Sequence, residues 1–347
     1  MPDFTIAGRT VSAGSRQTID LPLPPLFTHS PLSMPVHVVC GRRDGPRLFV
    51  SAAIHGDEIN GVEIIRRLLN TPALGRLNGV LVAIPVVNVH GFITHSRYLP
   101  DRRDLNRSFP GSVTGPLASR IANIFTNEII RQCTHGIDIH TGAGHRTNLS
   151  QIRGNLDDAE TKRLAVAFGA PVIINANIRD GSLRETAAEL GVPTLLYETG
   201  EALRFDEVSI RAGVRGVRRV MRALGMLPTR KKAKPPPEPV VAKSTSWVRA
   251  PMSGVLRLLV APGGRVEKNG LLAVVADPFG EKEAEVRAPF SGLVIGRTNL
   301  PLANEGDALY HIARFRRLDE VADTVEEFHE TLQPEPTDVP HPEGPVF

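Results

Sequence analysis

The feature that most limits what this chain can fold into is the alternation, across residues 36–224, of short apolar runs with stretches of helical periodicity. Residues 80–87, Val-Leu-Val-Ala-Ile-Pro-Val-Val, contain no polar side chain. A strand reads this way when helices cover both faces of its sheet. Residues 36–40 and 48–54, separated by a Gly/Arg/Asp turn, predict two further strands. Val62, Ile64, Ile65, Leu68 and Leu69 then recur at the spacing of a helix lying on that sheet. The same reading predicts helices over 117–130, 162–168, 182–190 and 208–224, and strands over 136–140, 171–174 and 194–198. Such alternation implies an α/β fold: a mixed, largely parallel sheet with helices on both faces.

The pattern breaks after Leu227. Residues 228–246 are rich in proline and lysine and read as a semi-rigid linker between an α/β catalytic domain, 1–227, and a β domain, 247–316. The β domain contains an internal repeat: Arg249-Ala-Pro-Met-Ser-Gly-Val255 recurs as Arg287-Ala-Pro-Phe-Ser-Gly-Leu293. Each copy is followed by a glycine turn, at 263–270 and at 304–307. Two strand–turn–strand units predict a small all-β barrel-sandwich-like domain, which resembles the biotinyl/lipoyl carrier fold. Carrier domains of that kind present a lysine between methionines. Here Lys282 lies in Asp-Pro-Phe-Gly-Glu-Lys-Glu, so it reads as a surface lysine and the domain as a structural or lid module. Residues 317–347 form an acidic, proline-rich tail with one short helix predicted near 321–332.

Composition narrows the function classes. A net charge of +4 on 347 residues is modest, and no aromatic RNA-binding signature, zinc-finger spacing or long basic tract is present, which argues against nucleic acid as a partner. No apolar run approaches the length of a membrane span, and residues 1–20 lack the layout of a secretory leader. Two cysteines, Cys40 and Cys133, without CxxC spacing point to reduced thiols and a cytoplasmic location. A homo-oligomer is compatible with the sequence, but nothing in it specifies one.

Four polar islands carry the chemistry: His55-Gly-Asp-Glu58, Asp104-Leu-Asn-Arg107, Asp138-Ile-His140 and Tyr197-Glu-Thr-Gly200. His55, Asn88, His140 and Glu198 all sit just past predicted strand ends, where open α/β sheets build their sites. Two imidazoles and one carboxylate, with a fourth position left for water, form the ligand set of a catalytic zinc, so His55, Glu58 and His140 are the candidate ligands of one Zn2+ per chain. Zinc lowers the pKa of a bound water to roughly 7. Glu198 is the candidate general base that takes its second proton and delivers it to the departing amine. Arg97 and Arg103 both qualify to stabilise the oxyanion, with Arg97 preferred. Asn106 and Arg107 form a natural clamp for a substrate carboxylate, and Asp104 reads as an orienting residue. The cluster of Arg97, Arg102, Arg103 and Arg107 fits an anionic substrate or, equally, a solvated positive face.

Taken in order, His-Gly-Asp-Glu-x-Asn-Gly, Asp-Leu-Asn-Arg, Asp-x-His-Thr-Gly and Glu-Thr-Gly resemble the signature of the succinylglutamate desuccinylase/aspartoacylase family, a group allied to the zinc carboxypeptidases. The resemblance covers residues 36–225. It implies zinc on His55, Glu58 and His140, Glu198 as base, substrate contacts from Asn106 and Arg107, and hydrolysis of an N-acyl amide. The leading expectation is a zinc-dependent amidohydrolase that removes a small acyl group, acetyl or succinyl, from a small anionic N-acyl amino acid. The alternatives are a zinc carboxypeptidase acting on peptides and a catalytically silent binding protein of the same fold.

Overall fold

The computed structural model describes residues 3–176, 180–229 and 240–333. Its first half comprises a small hairpin, β1 (Phe4–Ile6) with β2 (Arg9–Val11), followed by β3 (Arg16–Leu23), β4 (Leu32–Cys40) and β5 (Arg43–Ala52). Helix α1 (Asn60–Leu69), β6 (Asn78–Ile84), α2 (Val89–Ile93) and α3 (Leu117–Glu128) come next. They are followed by β7 (His135–Gly142), β8 (Arg146–Gly154), α4 (Ala159–Phe168) and β9 (Val172–Asn175). Helix α5 (Leu183–Glu189), β10 (Thr194–Glu201) and α6 (Glu207–Ala223) complete this half.

Strands β6, β5, β7 and β10 run parallel and adjacent at its centre. Side chains alternate across them. Val50, Ala52, Ile137, Ile139, Leu195 and Tyr197 face a core made with α1, α4 and α6, while Phe49, Val80, Val82 and Ile84 face one made with α3 and α5. Helices thus cover both faces, and the near-continuous apolar strands follow from that double burial. At the edges the sheet turns antiparallel, through β4 and β3 on one side and β8 on the other. Strand β3 lay hidden in sequence because only Ile19, Leu21 and Leu23 are buried, with Asp20 and Pro22 between them.

The second half contains β11 (Val240–Ala242), β12 (Ser244–Arg249), β13 (Gly254–Leu258), β14 (Arg265–Val266) and β15 (Leu271–Ala276). Strands β16 (Glu283–Arg287), β17 (Gly292–Thr298), β18 (Leu302–Ala303) and β19 (Ala308–Arg314) and helix α7 (Leu318–Leu332) follow. One layer, β16-β15-β13-β18, packs over β12, β19 and β17 around an apolar core that includes Leu272, Val275, Val294, Tyr310 and Ile312. The repeat is visible in the hydrogen bonding. Ser253 accepts the amide of Glu305, and Ser291 that of Lys268, each at 2.9 Å. Each repeat copy therefore grips the glycine turn that lies beside the other copy in sequence.

The two halves share one sheet. Strand β17 pairs antiparallel with β8, so thirteen strands among the described residues form a single continuous sheet. Of the expected linker, residues 230–239 lie outside the described residues, whereas 240–242 form β11, which adds to β9 in parallel. Of the expected tail, residues 318–332 form α7, whose Phe328 and Leu332 pack on the α/β core. No helix among the described residues is long and apolar enough to cross a membrane.

Candidate metal centre

The first island sits on the turn between β5 and α1. The Glu58 amide bonds the His55 carbonyl at 3.1 Å, folding the backbone so that both side chains reach one point. Gly56 is required there, because a Cβ would stand 1.9 Å from the backbone of Gly91 in α2. Asn88 fastens the same turn: its amide donates to Ala53, its Oδ1 accepts from Gly91, and its Nδ2 reaches the Arg97 carbonyl at 3.3 Å. His140 arrives from β7, on the face opposite to Ile137 and Ile139.

The Nδ1 atoms of His55 and His140 each lie 2.8 Å from a different oxygen of Glu58. The three donor atoms all lie within 4.8 Å of one another, and all three residues are buried. The outward nitrogens are also engaged. His140 Nε2 bonds Asp138 at 2.8 Å, and Asp138 in turn accepts from Ser51 at 2.7 Å. His55 Nε2 bonds Asp104 at 3.2 Å. A proton held on Nε2 by a carboxylate leaves the Nδ1 lone pair facing the centre, which is the usual second layer of a metal-bound histidine.

Charge supports the same conclusion. Burial would lower the His140 pKa, but Asp138 and Glu58 together raise it well above its ordinary value. Burial opposes ionisation of Glu58 as well, yet His55 and His140 hold its carboxyl far below the usual range. Arg97 spans Glu58 at 3.3 Å and Asp104 at 2.9 Å. Glu58, Asp104 and Asp138 thus share one guanidinium and two imidazoles. Without a metal the three carboxylates are balanced only if both imidazoles are protonated; with the imidazoles neutral, as ligation requires, Arg97 alone faces three carboxylates, and a divalent cation would supply the missing charge.

The other expected residues fall as follows. Glu198 lies in β10 directly beside His140 in register, on the same face of the sheet. Its Oε2 accepts from the amide of Asn148, and its Oε1 lies 3.5 Å from Arg153. Both partners come from β8, a strand that sequence reasoning missed. His140 and Glu198 sit within the last residues of their strands rather than just beyond them. Arg97, not Arg103, reaches the centre; Arg103 is exposed and 3.9 Å from Asp101. Asn106 is buried, with its Oδ1 taken by the Leu183 amide at 2.9 Å. Arg107 is exposed on the same turn and donates to the Asn106 carbonyl. Asp104 orients its neighbours, bonding His55, Arg97 and the Asn106 amide.

Comparison with known proteins bears on the family and the fold. Residues 44–224 match the model of the succinylglutamate desuccinylase/aspartoacylase catalytic domain. The chain is 29% identical over 295 residues to the N-alpha-acetyl-L-2,4-diaminobutyric acid deacetylase of Halomonas elongata, covering 81% of this chain and 85% of that protein. Among solved structures it resembles the product-bound ectoine utilization protein EutE (DoeB) of Ruegeria pomeroyi, with a TM-score of 0.81, 24% identity, and coverage of 90% of this chain and 99% of that one. It also resembles a succinylglutamate desuccinylase/aspartoacylase from Rhodobacter sphaeroides, with a TM-score of 0.78, 21% identity, and coverage of 87% and 95%.

Proposed function

The chain belongs to the succinylglutamate desuccinylase/aspartoacylase family, and on that premise we propose that it is a zinc-dependent amidohydrolase releasing a free amine and a carboxylate from a small N-acyl amino acid. The observation that carries the proposal is the convergence of His55 Nδ1, His140 Nδ1 and Glu58, each imidazole backed by its own carboxylate. These three side chains would hold the zinc in the manner of a zinc carboxypeptidase. When bound, zinc supplies a Lewis acid for the amide carbonyl and makes the attacking water acidic enough to react near neutral pH.

The chain's own residues supply the remaining chemistry. Glu198, beside His140, takes a proton from the attacking water and hands it to the nitrogen as the C–N bond breaks. Arg97 stabilises the developing oxyanion. Asn106, whose Oδ1 is anchored by the Leu183 amide, can offer a substrate carboxylate its Nδ2 donors. Arg107 beside it supplies the guanidinium of the clamp. Similarity to the Halomonas elongata deacetylase favours acetyl as the acyl group and a diamino acid as the amine. Cys40 and Cys133 are free and buried, which accords with a cytoplasmic setting.

The test combines metal analysis with assays of N-acetyl and N-succinyl amino acids, including N-acetyl-2,4-diaminobutyrate, before and after chelation. About one zinc per chain and chelator-sensitive release of free amine are expected. Amine release that persists in fully metal-free protein would sink the zinc assignment, and activity on peptides alone would sink the deacylase.

A further inference from the structure

Strand β8 lies between β10, which carries Glu198, and β17 of the C-terminal β unit. The register of β10 on β8 slips between Glu198 and Gly200, so Glu198 stands opposite Gln151 but Gly200 stands opposite Asn148. At this irregularity the Asn148 amide reaches the Glu198 carboxylate, while Arg153 approaches its other oxygen at 3.5 Å. On its far side Asn148 is paired with Gly296 of β17. A Cβ on Gly296 would come within 2.6 Å of Asn148 Oδ1, closer than any real contact. The missing side chain at 296 is therefore what leaves room for the Asn148 amide.

Three further contacts join the same wall. Gln151, fully buried opposite Glu198, donates to the Ile295 carbonyl at 3.5 Å. Asn299, just past β17, donates to Glu201 at 3.0 Å, and its own amide bonds the His145 carbonyl at 2.6 Å. Every one of these groups of the C-terminal unit meets β8, the turn before it, or the end of β10. A hydrogen bond to one oxygen and a guanidinium near the other restrict a carboxylate's orientation, and a base displaced by about 1 Å can lose a hundredfold in rate.

We infer that the C-terminal β unit positions Glu198, with Gly296 giving Asn148 the space to hold the carboxylate in place. Asn148 is thus a positioning residue, and the unit is part of the active-site wall rather than a tethered module. The inference rests on the reading of Glu198 as the base for its effect on rate, but not for the contact itself.

The experiment uses full-length Asn148→Ala, Gly296→Ala and the double variant, each checked for zinc content and melting temperature. Asn148→Ala should lower kcat about ten- to a hundredfold with little change in KM, and Gly296→Ala should produce a smaller loss of the same kind. The double variant should be no worse than Asn148→Ala alone, because Gly296 acts through Asn148. Losses that multiply, or full kcat in Gly296→Ala, would overturn the inference. A second readout needs neither zinc nor turnover. In the metal-free protein, the Asn148 side-chain amide resonance, identified by its absence in Asn148→Ala, should move in both Glu198→Gln and Gly296→Ala. An unmoved resonance in Gly296→Ala overturns the inference whatever the kinetics. If both variants move the resonance but Glu198→Gln keeps normal turnover, the contact stands and the assignment of the base falls.

Discussion

The two halves of this protein handle buried polarity in opposite ways. The α/β half buries His55, Asp57, Glu58, Asn60, Asn88, Asp138 and His140 around the C-terminal ends of its central strands. Among the described residues of the C-terminal half, the buried polar side chain is His311, stacked on Trp247 at 4.5 Å; the rest of that core is apolar. Burying charge costs several kcal/mol per ion unless partners compensate. A fold therefore carries that cost only where the charges are used. One half thus holds the buried charged groups, whereas the other is apolar inside and meets them only through the strand it lays against β8.

The sharpest way to break this contrast is to remove a charge from the buried cluster. His140→Ala deletes one of two imidazoles facing Glu58 and should abolish metal retention and activity together, read by elemental analysis and amine release. Glu198→Gln keeps the shape and removes the proposed base, so kcat should fall about 10²–10⁴-fold without loss of metal content. Asp138→Asn acts one layer further out. It weakens the hold on His140 Nε2 and should loosen metal binding by about 10–100-fold, measured by competition with a chelator. Metal affinity unchanged by Asp138→Asn would mean that the outer carboxylate only packs.

In the C-terminal half the corresponding deletion is Ile312→Ala, a fully buried side chain in an apolar core. It should cost about 2–5 kcal/mol of stability in denaturant titrations. KM for substrate should stay the same in the protein that remains folded. A change in KM would show that the halves are coupled more tightly than their packing implies.

How much of this was legible in the sequence depended on where polarity and periodicity coincide. Strand β7 was readable because Ile137 and Ile139 alternate with Asp138 and His140, so one strand displays both its core face and its chemistry. Strand β8 was not, because Thr147, Asn148, Ser150, Gln151 and Arg153 spread polar side chains over both faces. Its pairing with β17, more than a hundred residues away, is made by backbone bonds that leave no side-chain pattern. Asn148 and Arg153 were missed for that reason, and so was the continuity of the sheet. In sequence Arg97 and Arg103 both qualified, with Arg97 preferred. The fold separates them, because Asn88 ties the Arg97 carbonyl against the site while Arg103 is left in solvent beside Asp101.

The smallest effect tests whether burial, rather than charge alone, marks the difference between the halves. Glu63, on α1 of the catalytic half but outside the site, accepts from Arg66 at 2.6 Å and from Arg67 at 2.6 Å. The Arg66 hydrogen bond, working against burial and joined by Arg67, holds its carboxyl down at about 2 instead of 4.5. A depressed carboxyl pKa stabilises the fold above the ordinary value. That contribution is lost as pH falls from about 4.5 toward 2. Glu63→Gln should therefore lower the melting temperature at pH 7 and leave it unchanged near pH 2. Because Arg66 is 64% exposed, water screens much of the pairing, and the shift at pH 7 should be about 2 °C or less. Activity and metal content should not change. A loss at pH 7 as large as that of Ile312→Ala would mean that surface ion pairs, and not only the buried centre, carry the electrostatic design of the catalytic half.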